Sequence, residues 1–261
     1  DGSLIGAPEE YENRPKNPKT KRSVLLAMPT PSDIPTAEEA DNPTVEPYLL
    51  ALLDVLGFES KLKELGVQKM QALYKSLIDV ALEPHVAKSQ WTPFLIPISE
   101  NAFHPGMFCL PIRYAYFSDS ILLWIPYHQT FVQPFLDKCL DVFCEALSIG
   151  LPLRGAITAG ELFLHKKTNT YIGEALVEAA RLEKAQDWVG VCLGASVRSE
   201  KLRIPFDPRL VMLWDTPIKQ GYDELLSGLV LDWARRWREN HSKSPCDIIN
   251  QLRVAGFEKY Y

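Results

Sequence analysis

Hydrophobic positions along the chain form two kinds of pattern: continuous apolar runs and runs with helical spacing. The segment Tyr48–Leu56 is a continuous apolar run interrupted by one acid, Asp54, and it ends before Gly57. A run of this kind predicts a buried β-strand. From Phe58 to Leu82 the apolar residues recur every three or four positions, which predicts one amphipathic helix.

Two further apolar runs, Cys109–Phe117 and Ile121–Tyr127, are separated by so short a polar gap that they predict a β-hairpin. The remaining pattern predicts, in chain order, irregular structure over 83–108, a helix over 131–149, a strand over 153–164, a helix over 171–186, strands over 189–193 and 210–214, a helix ending near Arg238 and a short helix near 246–254. The order β-α-β-β-α-β-α-β predicts an α+β fold. Its sheet would be palm-like and ferredoxin-related, contain antiparallel strands and carry helices on one face.

The first part of the chain differs in character from the rest. Residues 1–20 are polar, charged and rich in proline, and residues 29–47 have the composition of a loop. The short apolar stretch between them, Ser23–Met28, is compatible with a strand or with an apolar arm. We therefore expect a partly flexible arm over 1–47 and one folded domain over 48–261 with a C-terminal helical extension.

Composition and charge argue against several classes of function. Of the 261 residues, 46% are hydrophobic, and the net charge is −5 with no block of basic residues, so nucleic acid is not expected as the main partner. The five cysteines are odd in number and form no CxxC pair, which predicts reduced thiols and a cytoplasmic protein. No apolar run approaches the roughly 20 residues that span a bilayer, so no membrane is expected as a partner.

Two aspartates lie in or between apolar segments that are predicted to be strands. Asp54 lies within the first strand, and Asp119 lies at the predicted hairpin turn. In a palm-like sheet these elements are neighbours, so the two carboxylates could converge at one end of the sheet. Paired carboxylates beside phosphate oxygens commonly hold Mg²⁺. Each residue also has a simpler explanation: Asp119 as an ordinary turn residue, and Asp54 as a strand-end acid that caps a loop.

Four motifs, in a common order, resemble those of the class III adenylate and guanylate cyclases. Leu53-Asp-Val-Leu-Gly-Phe58 resembles the first metal motif of that family, and Tyr116-Phe-Ser-Asp-Ser120 resembles the second, with Ser118 where many members have glycine. Leu153-Arg-Gly-Ala-Ile-Thr-Ala-Gly160 resembles the central strand, and Gly173-Glu-Ala-Leu-Val-Glu-Ala-Ala-Arg-Leu-Glu183 resembles the helix motif that follows it. The resemblance implies the cyclase homology domain, assembled as a head-to-tail homodimer with active sites at the interface.

The resemblance also implies roles for particular residues. Two Mg²⁺ or Mn²⁺ ions would be held by Asp54, Val55 and Asp119, and Arg181 would stabilise charge on the transferring phosphate, a task that suits a guanidinium. The segment after Asp54 would contact the substrate through Leu56, Gly57 and Phe58. The asparagine that usually orients the ribose falls on Val177. This departure leaves open a degenerate domain that binds nucleotide without turning it over.

The positions that select the base depart from the purine cyclases. The lysine of adenylate cyclases falls on Ala115, its neighbour is the large Tyr116, and the second selector falls on Thr170. In these features the chain resembles the Pycsar-type pyrimidine cyclases of bacterial antiphage defence. That resemblance implies UTP as substrate and cyclic UMP as a signal read by a separate effector, with ATP or GTP as the alternatives. Tyr116 could equally be a core aromatic of its strand.

Overall fold

A computed structural model describes residues 44–82, 95–99, 102–105, 112–165, 168–198, 206–220, 226–241 and 244–252. All of these residues belong to one compact unit. Residues 1–43 of the arm predicted over 1–47, including the run Ser23–Met28, lie outside the described residues, and the last four residues of the predicted arm belong to the first strand.

The described strands and helices have the following bounds. The strands are β1 (Thr44–Val55), β2 (Leu95–Ser99), β3 (Ala102–Pro105), β4 (Arg113–Phe117), β5 (Ser120–Pro126), β6 (Leu153–His165), β7 (Thr170–Gly173), β8 (Gly190–Gly194), β9 (Val211–Leu213) and β10 (Leu226–Leu231). The helices are α1 (Phe58–Leu65), α2 (Val67–Leu82), α3 (Gln129–Ser148), α4 (Glu174–Ala185), α5 (Trp233–Asn240) and α6 (Pro245–Leu252).

One eight-stranded sheet organises the fold. Its order is β4-β5-β1-β6-β8-β10-β9, with β7 paired to the far end of β6. The paired strands are antiparallel except for β6 and β8, which run parallel. The segment from β1 to β6 forms a β-α-β-β-α-β unit with strand order β4-β5-β1-β6, which is the ferredoxin-like arrangement. The predicted α+β fold is therefore confirmed.

Apolar side chains of β1 alternate between two cores, one on each face of the sheet. Leu49, Ala51 and Leu53 pack with the buried residues of α2 and α3, whereas Leu50 and Leu52 pack with α4. Successive side chains of a strand point to opposite faces, so a continuous apolar run is the expected pattern for a strand buried on both sides. The expectation of helices on one face is wrong, because α4 covers the face opposite to α2 and α3.

Two boundaries near the site differ from the sequence prediction. Strand β1 begins at Thr44 rather than Tyr48, because β6 is long enough to pair with the preceding residues as well. The single helix predicted over 58–82 is two helices. Gly66, at φ 76°, ends α1 by donating its N–H to the carbonyl of Leu62, and α2 starts at the next residue.

Three further differences concern strands that the sequence pattern did not reveal. The segment expected to be irregular, 83–108, contains the hairpin of β2 and β3. The helix predicted from Tyr171 starts only at Glu174, because the preceding residues pair with β6 as β7. The long helix predicted before Arg238 is strand β10 followed by α5, whose N-cap Asp232 accepts the N–H of Arg235. Among the described helices, none has the length and apolar character that crossing a membrane requires.

Candidate functional site

The candidate site lies where β1 ends, between the strands that flank it. Asp54, next to the last residue of β1, lies opposite Ser120 of β5 on one side and opposite Arg154 of β6 on the other. Its side chain is only 20% exposed. A carboxylate in a central strand needs compensating partners, because burying a charge is costly.

Asp119 reaches the same end of the sheet through the tight β4–β5 turn, which consists of Ser118 and Asp119. The backbone N–H of Val55 donates to the carbonyl of Asp119 over 2.8 Å, so the turn is attached directly to the end of β1. The structure therefore brings Asp54 and Asp119 together, as the neighbouring positions of strand and hairpin predicted. The metal-binding role of these residues and of Val55 stays a prediction.

The carboxyl group of Asp54 lies in an unfavourable electrostatic environment. Burial, followed by the negative charges of Glu183 and Asp119, raises its pKa to about 6, and the nearby cation of Arg154 opposes this shift. The contact between Arg154 Nη2 and Asp54 Oδ2 measures 3.6 Å. Negative charge is therefore in excess at this end of the sheet, and a bound divalent cation would relieve it.

Arg154 is held mainly by the helix above it. Its Nε donates to Oε1 of Glu183 over 2.8 Å, and its Nη1 donates to the carbonyl of Gln186 over 3.3 Å. These acceptors lie at the C-terminal end of α4, so the network connects that helix to β6 and to Asp54. The sequence motifs contained Arg154 and Glu183, but no role was assigned to either. Asp54 is recognisable in the sequence as a charged residue inside an apolar strand. The same criterion identifies Arg154.

An aromatic cluster supports the β4–β5 turn. Tyr74 of α2 is buried, its hydroxyl donates to the carbonyl of Ser118 over 3.1 Å, and its ring contacts Phe58 and Tyr116. Burial, and then the two nearby site carboxylates, raises the pKa of Tyr74 above its ordinary value, so the phenol stays protonated and can donate. Nothing in the sequence pattern distinguishes Tyr74 from the other buried residues of its helix.

The segment predicted to contact substrate turns directly from β1 into α1. Leu56 is buried and donates its N–H to the carbonyl of Pro152 over 2.9 Å. Gly57, at φ 70°, is the residue before α1, where a positive φ favours glycine. Phe58 opens the helix, so the N–H groups of its first turn follow closely after Asp54. The contact of these residues with substrate stays a prediction.

The two candidate residues on β4 lie on opposite faces of the sheet. Ala115 pairs with Leu122 and packs in the core beneath α4, the face that also carries Asp54. Tyr116 lies on the other face, where its ring stacks on Tyr114, although 51% of its surface is exposed. The alternative that Tyr116 is a core aromatic of its strand is wrong, because the ring contacts leave half of the residue exposed. Its role in base selection stays a prediction.

Thr170 and Arg181 form no hydrogen bond or ion pair with the two aspartates in the described part of the chain. Thr170 pairs with His165 at the opposite end of β6 from Arg154, and its hydroxyl lies 2.8 Å from that of Thr168. Arg181 is exposed on α4, whose buried face against the sheet consists of other residues: Ala175, Ala179 and Leu182. Their roles towards a substrate held by Asp54 stay predictions.

The donor set at the end of β1 is suitable for a hard divalent cation. The carboxylates of Asp54 and Asp119 are oxygen ligands of the kind that Mg²⁺ and Mn²⁺ prefer, and the surplus negative charge favours a cation there. Within the described residues there is no cluster of three or more histidine, cysteine or acidic side chains arranged to hold a metal. Any ion held by the two carboxylates would therefore take further ligands from water or from substrate phosphates.

We expect the replacement of Asp54 by asparagine to stabilise the protein at neutral pH. The pKa of Asp54 is near 4 in the unfolded chain and about 6 in the folded protein. Such an acid lowers the free energy of unfolding as the pH rises from about 4 to about 6, and the whole of this destabilisation remains above pH 6. After allowance for partial solvent screening, Asp54→Asn should raise the free energy of unfolding by about 1–2 kcal/mol at pH 7.5 and by almost nothing at pH 4.

Urea denaturation of both proteins at the two pH values measures this difference. Asp79→Asn on the exposed face of α2 is the matched control, since Asp79 forms only a solvent-exposed pair with Lys75. A variant that is less stable than the wild type at pH 7.5, or equally changed at both pH values, would contradict the expectation.

Comparison with known proteins finds similarity in structure and none in sequence. No protein-family model matches the chain, and no curated protein does either. Among solved structures, the chain is similar to a bacterial light-regulated adenylyl cyclase, with a TM-score of 0.47 and 12% sequence identity. The similarity covers 82% of this chain, which spans 58% of the length of that cyclase chain.

Proposed function

We propose that this protein is a nucleotidyl cyclase, which converts a nucleoside triphosphate into its 3′,5′-cyclic monophosphate and diphosphate. The observation that carries the proposal is the meeting of Asp54 and Asp119 at one end of the sheet. They lie on a first strand and on a hairpin turn, the positions that the resemblance to class III cyclases implies. The ferredoxin-like strand order is the scaffold that this arrangement needs.

The carboxylates of Asp54 and Asp119, with the main chain at Val55, would hold the divalent cations. Two bound Mg²⁺ or Mn²⁺ ions supply Lewis-acid activation of the attacking 3′-hydroxyl and neutralise charge on the phosphates. Arg154 makes its short hydrogen bonds to Glu183 and only a longer contact to Asp54, so it leaves the Asp54 carboxylate available. Gly57 and the N-terminus of α1 offer main-chain N–H groups to a phosphate beside the carboxylates.

The working unit is a homodimer with sites at its interface. In one chain Arg181 is exposed on α4. Val177, one helical turn before Arg181, is 58% exposed although it is apolar. A second copy docked against this part of α4 would cover Val177 and bring Arg181 to the partner's aspartates, where a guanidinium can stabilise developing phosphate charge.

We expect UTP to be the preferred substrate. Ala115 occupies the position of the purine-selecting lysine. Its methyl side chain, on the face of the sheet that carries Asp54, cannot donate a hydrogen bond to adenine. Thr170 and Tyr116 are the remaining candidates for contact with the base, although Tyr116 lies on the opposite face of the sheet from Asp54. The hydroxyl of either residue can donate to or accept from a pyrimidine. With equal ATP, GTP, CTP and UTP and with Mn²⁺, cyclic UMP should exceed each other product by about tenfold or more.

Mass spectrometry of the products decides this experiment. Tyr116→Ala should relax the base preference more than it reduces the total rate, and Tyr116→Phe, which keeps the ring and removes only the hydroxyl, is the matched control. Cyclic AMP or cyclic GMP as the main product would refute the pyrimidine assignment and leave the cyclase assignment standing. By its resemblance to antiphage cyclases, the protein would make this product as a defence signal for a separate effector.

A second candidate function is a binding domain that holds nucleotide without turnover. Val177, where the ribose-orienting asparagine usually lies, favours this alternative. The retention of Asp54, Asp119 and Arg181 favours the enzyme, because a simple binder does not need that set. Saturable binding of UTP with Mn²⁺, combined with no cyclic product from any of the nucleoside triphosphates, would establish the alternative.

A further inference from the structure

The β4–β5 turn adopts an unfavourable backbone conformation at the residue before Asp119. Ser118 has φ 56°, a region that side-chain-bearing residues rarely occupy and that two-residue hairpin turns usually assign to glycine. Pairing between β4 and β5 fixes the residues on either side of the turn, Phe117 and Ser120. A two-residue loop between these paired residues favours a positive φ at its first position, so the hairpin places the backbone strain on Ser118.

Two hydrogen bonds from outside the hairpin hold the turn in place. The N–H of Val55 binds the carbonyl of Asp119 over 2.8 Å from the β1 side. The hydroxyl of Tyr74 binds the carbonyl of Ser118 over 3.1 Å from the α2 side. Consecutive carbonyls of the turn are thus anchored to two different elements, and the Asp119 side chain projects from the peptide segment between these anchors.

Tyr74 is itself held firmly. Only 5% of its surface is exposed, and its ring packs edge-on against Phe58, with centroids 6.2 Å apart, and against Tyr116 at 5.8 Å. Because packing fixes the Tyr74 ring, the hydroxyl group keeps its position whether or not Ser118 accepts its hydrogen bond. The aromatic contacts and the hydroxyl contact can be separated experimentally, because phenylalanine retains the ring and removes only the hydroxyl.

We propose that Tyr74 is a positioning residue, whose hydroxyl holds Ser118 in its left-handed conformation and thereby directs the Asp119 carboxylate towards Asp54. The inference rests on the proposed function, since it assigns to Tyr74 the geometry of the metal-binding pair. It also explains why a serine is tolerated at a position where the backbone favours glycine: the hydrogen bond from Tyr74 compensates for the strain.

The experiment measures binding of Mn²⁺ alone, by loss of the free-ion signal in electron paramagnetic resonance, to the full chain and its variants. Tyr74→Phe should weaken Mn²⁺ binding by about tenfold, the effect of one lost hydrogen bond. Adding Ser118→Gly to Tyr74→Phe should bring the affinity back to within about twofold of the wild type, because glycine adopts a positive φ without the anchor. Tyr114→Phe, which leaves the bond to Ser118 intact, should bind as the wild type does.

The outcomes separate this inference from the proposed function. If the wild type binds Mn²⁺ and Asp119→Asn does not, the metal site is established. In that case a Tyr74→Phe variant with normal Mn²⁺ affinity overturns the positioning role of Tyr74 and leaves the proposed function standing. A loss that Ser118→Gly fails to restore, accompanied by a lower melting temperature, also overturns it, because it marks a general packing defect. Absence of saturable binding to the wild type overturns the positioning role, whereas absence of any cyclic product overturns the proposed function.

Turnover provides a second readout that a purely structural role would not change. If Tyr74 acts through the position of Asp119, excess Mn²⁺ should return the rate of Tyr74→Phe towards that of the wild type, because the defect lies in metal affinity. A rate that stays low at saturating Mn²⁺ contradicts the proposal. Circular dichroism of each variant confirms that the compared proteins are folded.

Discussion

Replacement of Asp119 by asparagine, or of Asp54 by asparagine, should reduce the rate of cyclic nucleotide formation by at least about a thousandfold, equivalent to roughly 4 kcal/mol of transition-state stabilisation. Each substitution retains the size of the side chain and removes the negative charge that a divalent cation requires. The carbonyl of Asp119 that binds Val55 belongs to the main chain, so the turn keeps this anchor in Asp119→Asn.

The Asp54 variant makes this test unusually clear. Loss of activity after mutation often reflects loss of folding, but Asp54→Asn should be more stable than the wild type at neutral pH, because the asparagine removes a buried charge whose pKa is raised to about 6. A protein that gains stability while losing activity must have lost a chemical function. Rates measured with saturating Mn²⁺, beside urea denaturation of metal-free samples of the same proteins, check both parts, since bound metal would itself stabilise the wild type.

The control for these variants is an acid of similar size outside the site. Asp79→Asn, on the exposed face of α2, should retain the wild-type rate. A folded Asp119→Asn variant that turns over substrate at a near-normal rate would refute metal-assisted catalysis at this end of the sheet. The same result would remove the main support for the proposed cyclase.

Mixing two inactive variants should restore activity. Asp54→Asn lacks a metal ligand, and Arg181→Ala lacks the guanidinium that the proposed dimer supplies from its second chain. A mixed dimer contains one site in which both groups are intact and one in which both are missing. With free exchange of subunits, half of the dimers are mixed, so the rate should reach about a quarter of the wild-type rate for the same total protein.

The control for the mixing experiment places both substitutions in one chain. Asp54→Asn/Arg181→Ala mixed with an equal amount of wild type gives mixed dimers in which each site lacks one of the two groups. Only the wild-type homodimers, a quarter of all dimers, stay active, so the rate should be about a quarter of the wild-type rate for the same total protein, whereas sites contained within one chain would leave about half. Sedimentation of the wild type at micromolar concentration should show a dimer. An active monomer, or two inactive variants that stay inactive after verified subunit exchange, would exclude an interface site.

The main strands near the site could be predicted because their sequence pattern is local and strong. A continuous apolar run identified β1, and two apolar runs with a short polar gap identified the hairpin of β4 and β5. The strand β7 was missed because Tyr171 and Ile172 precede a helix-like pattern without a break, and only pairing with the extended end of β6 makes them a strand. Strand β10 was missed for a similar reason: its partners, β8 and β9, lie far away in the sequence.

The sequence by itself determined the α+β class, the ferredoxin-like order of the main strands and the two aspartates, since these follow from apolar periodicity and from acids placed where apolar residues are expected. Only the tertiary structure decided which residues surround those aspartates. Arg154, Glu183 and Tyr74 come from β6, α4 and α2, and nothing in their spacing along the chain reveals that they meet at one end of the sheet. Contacts of this kind depend on strand register and on which helix covers which face of the sheet, and both are set by packing of the whole core.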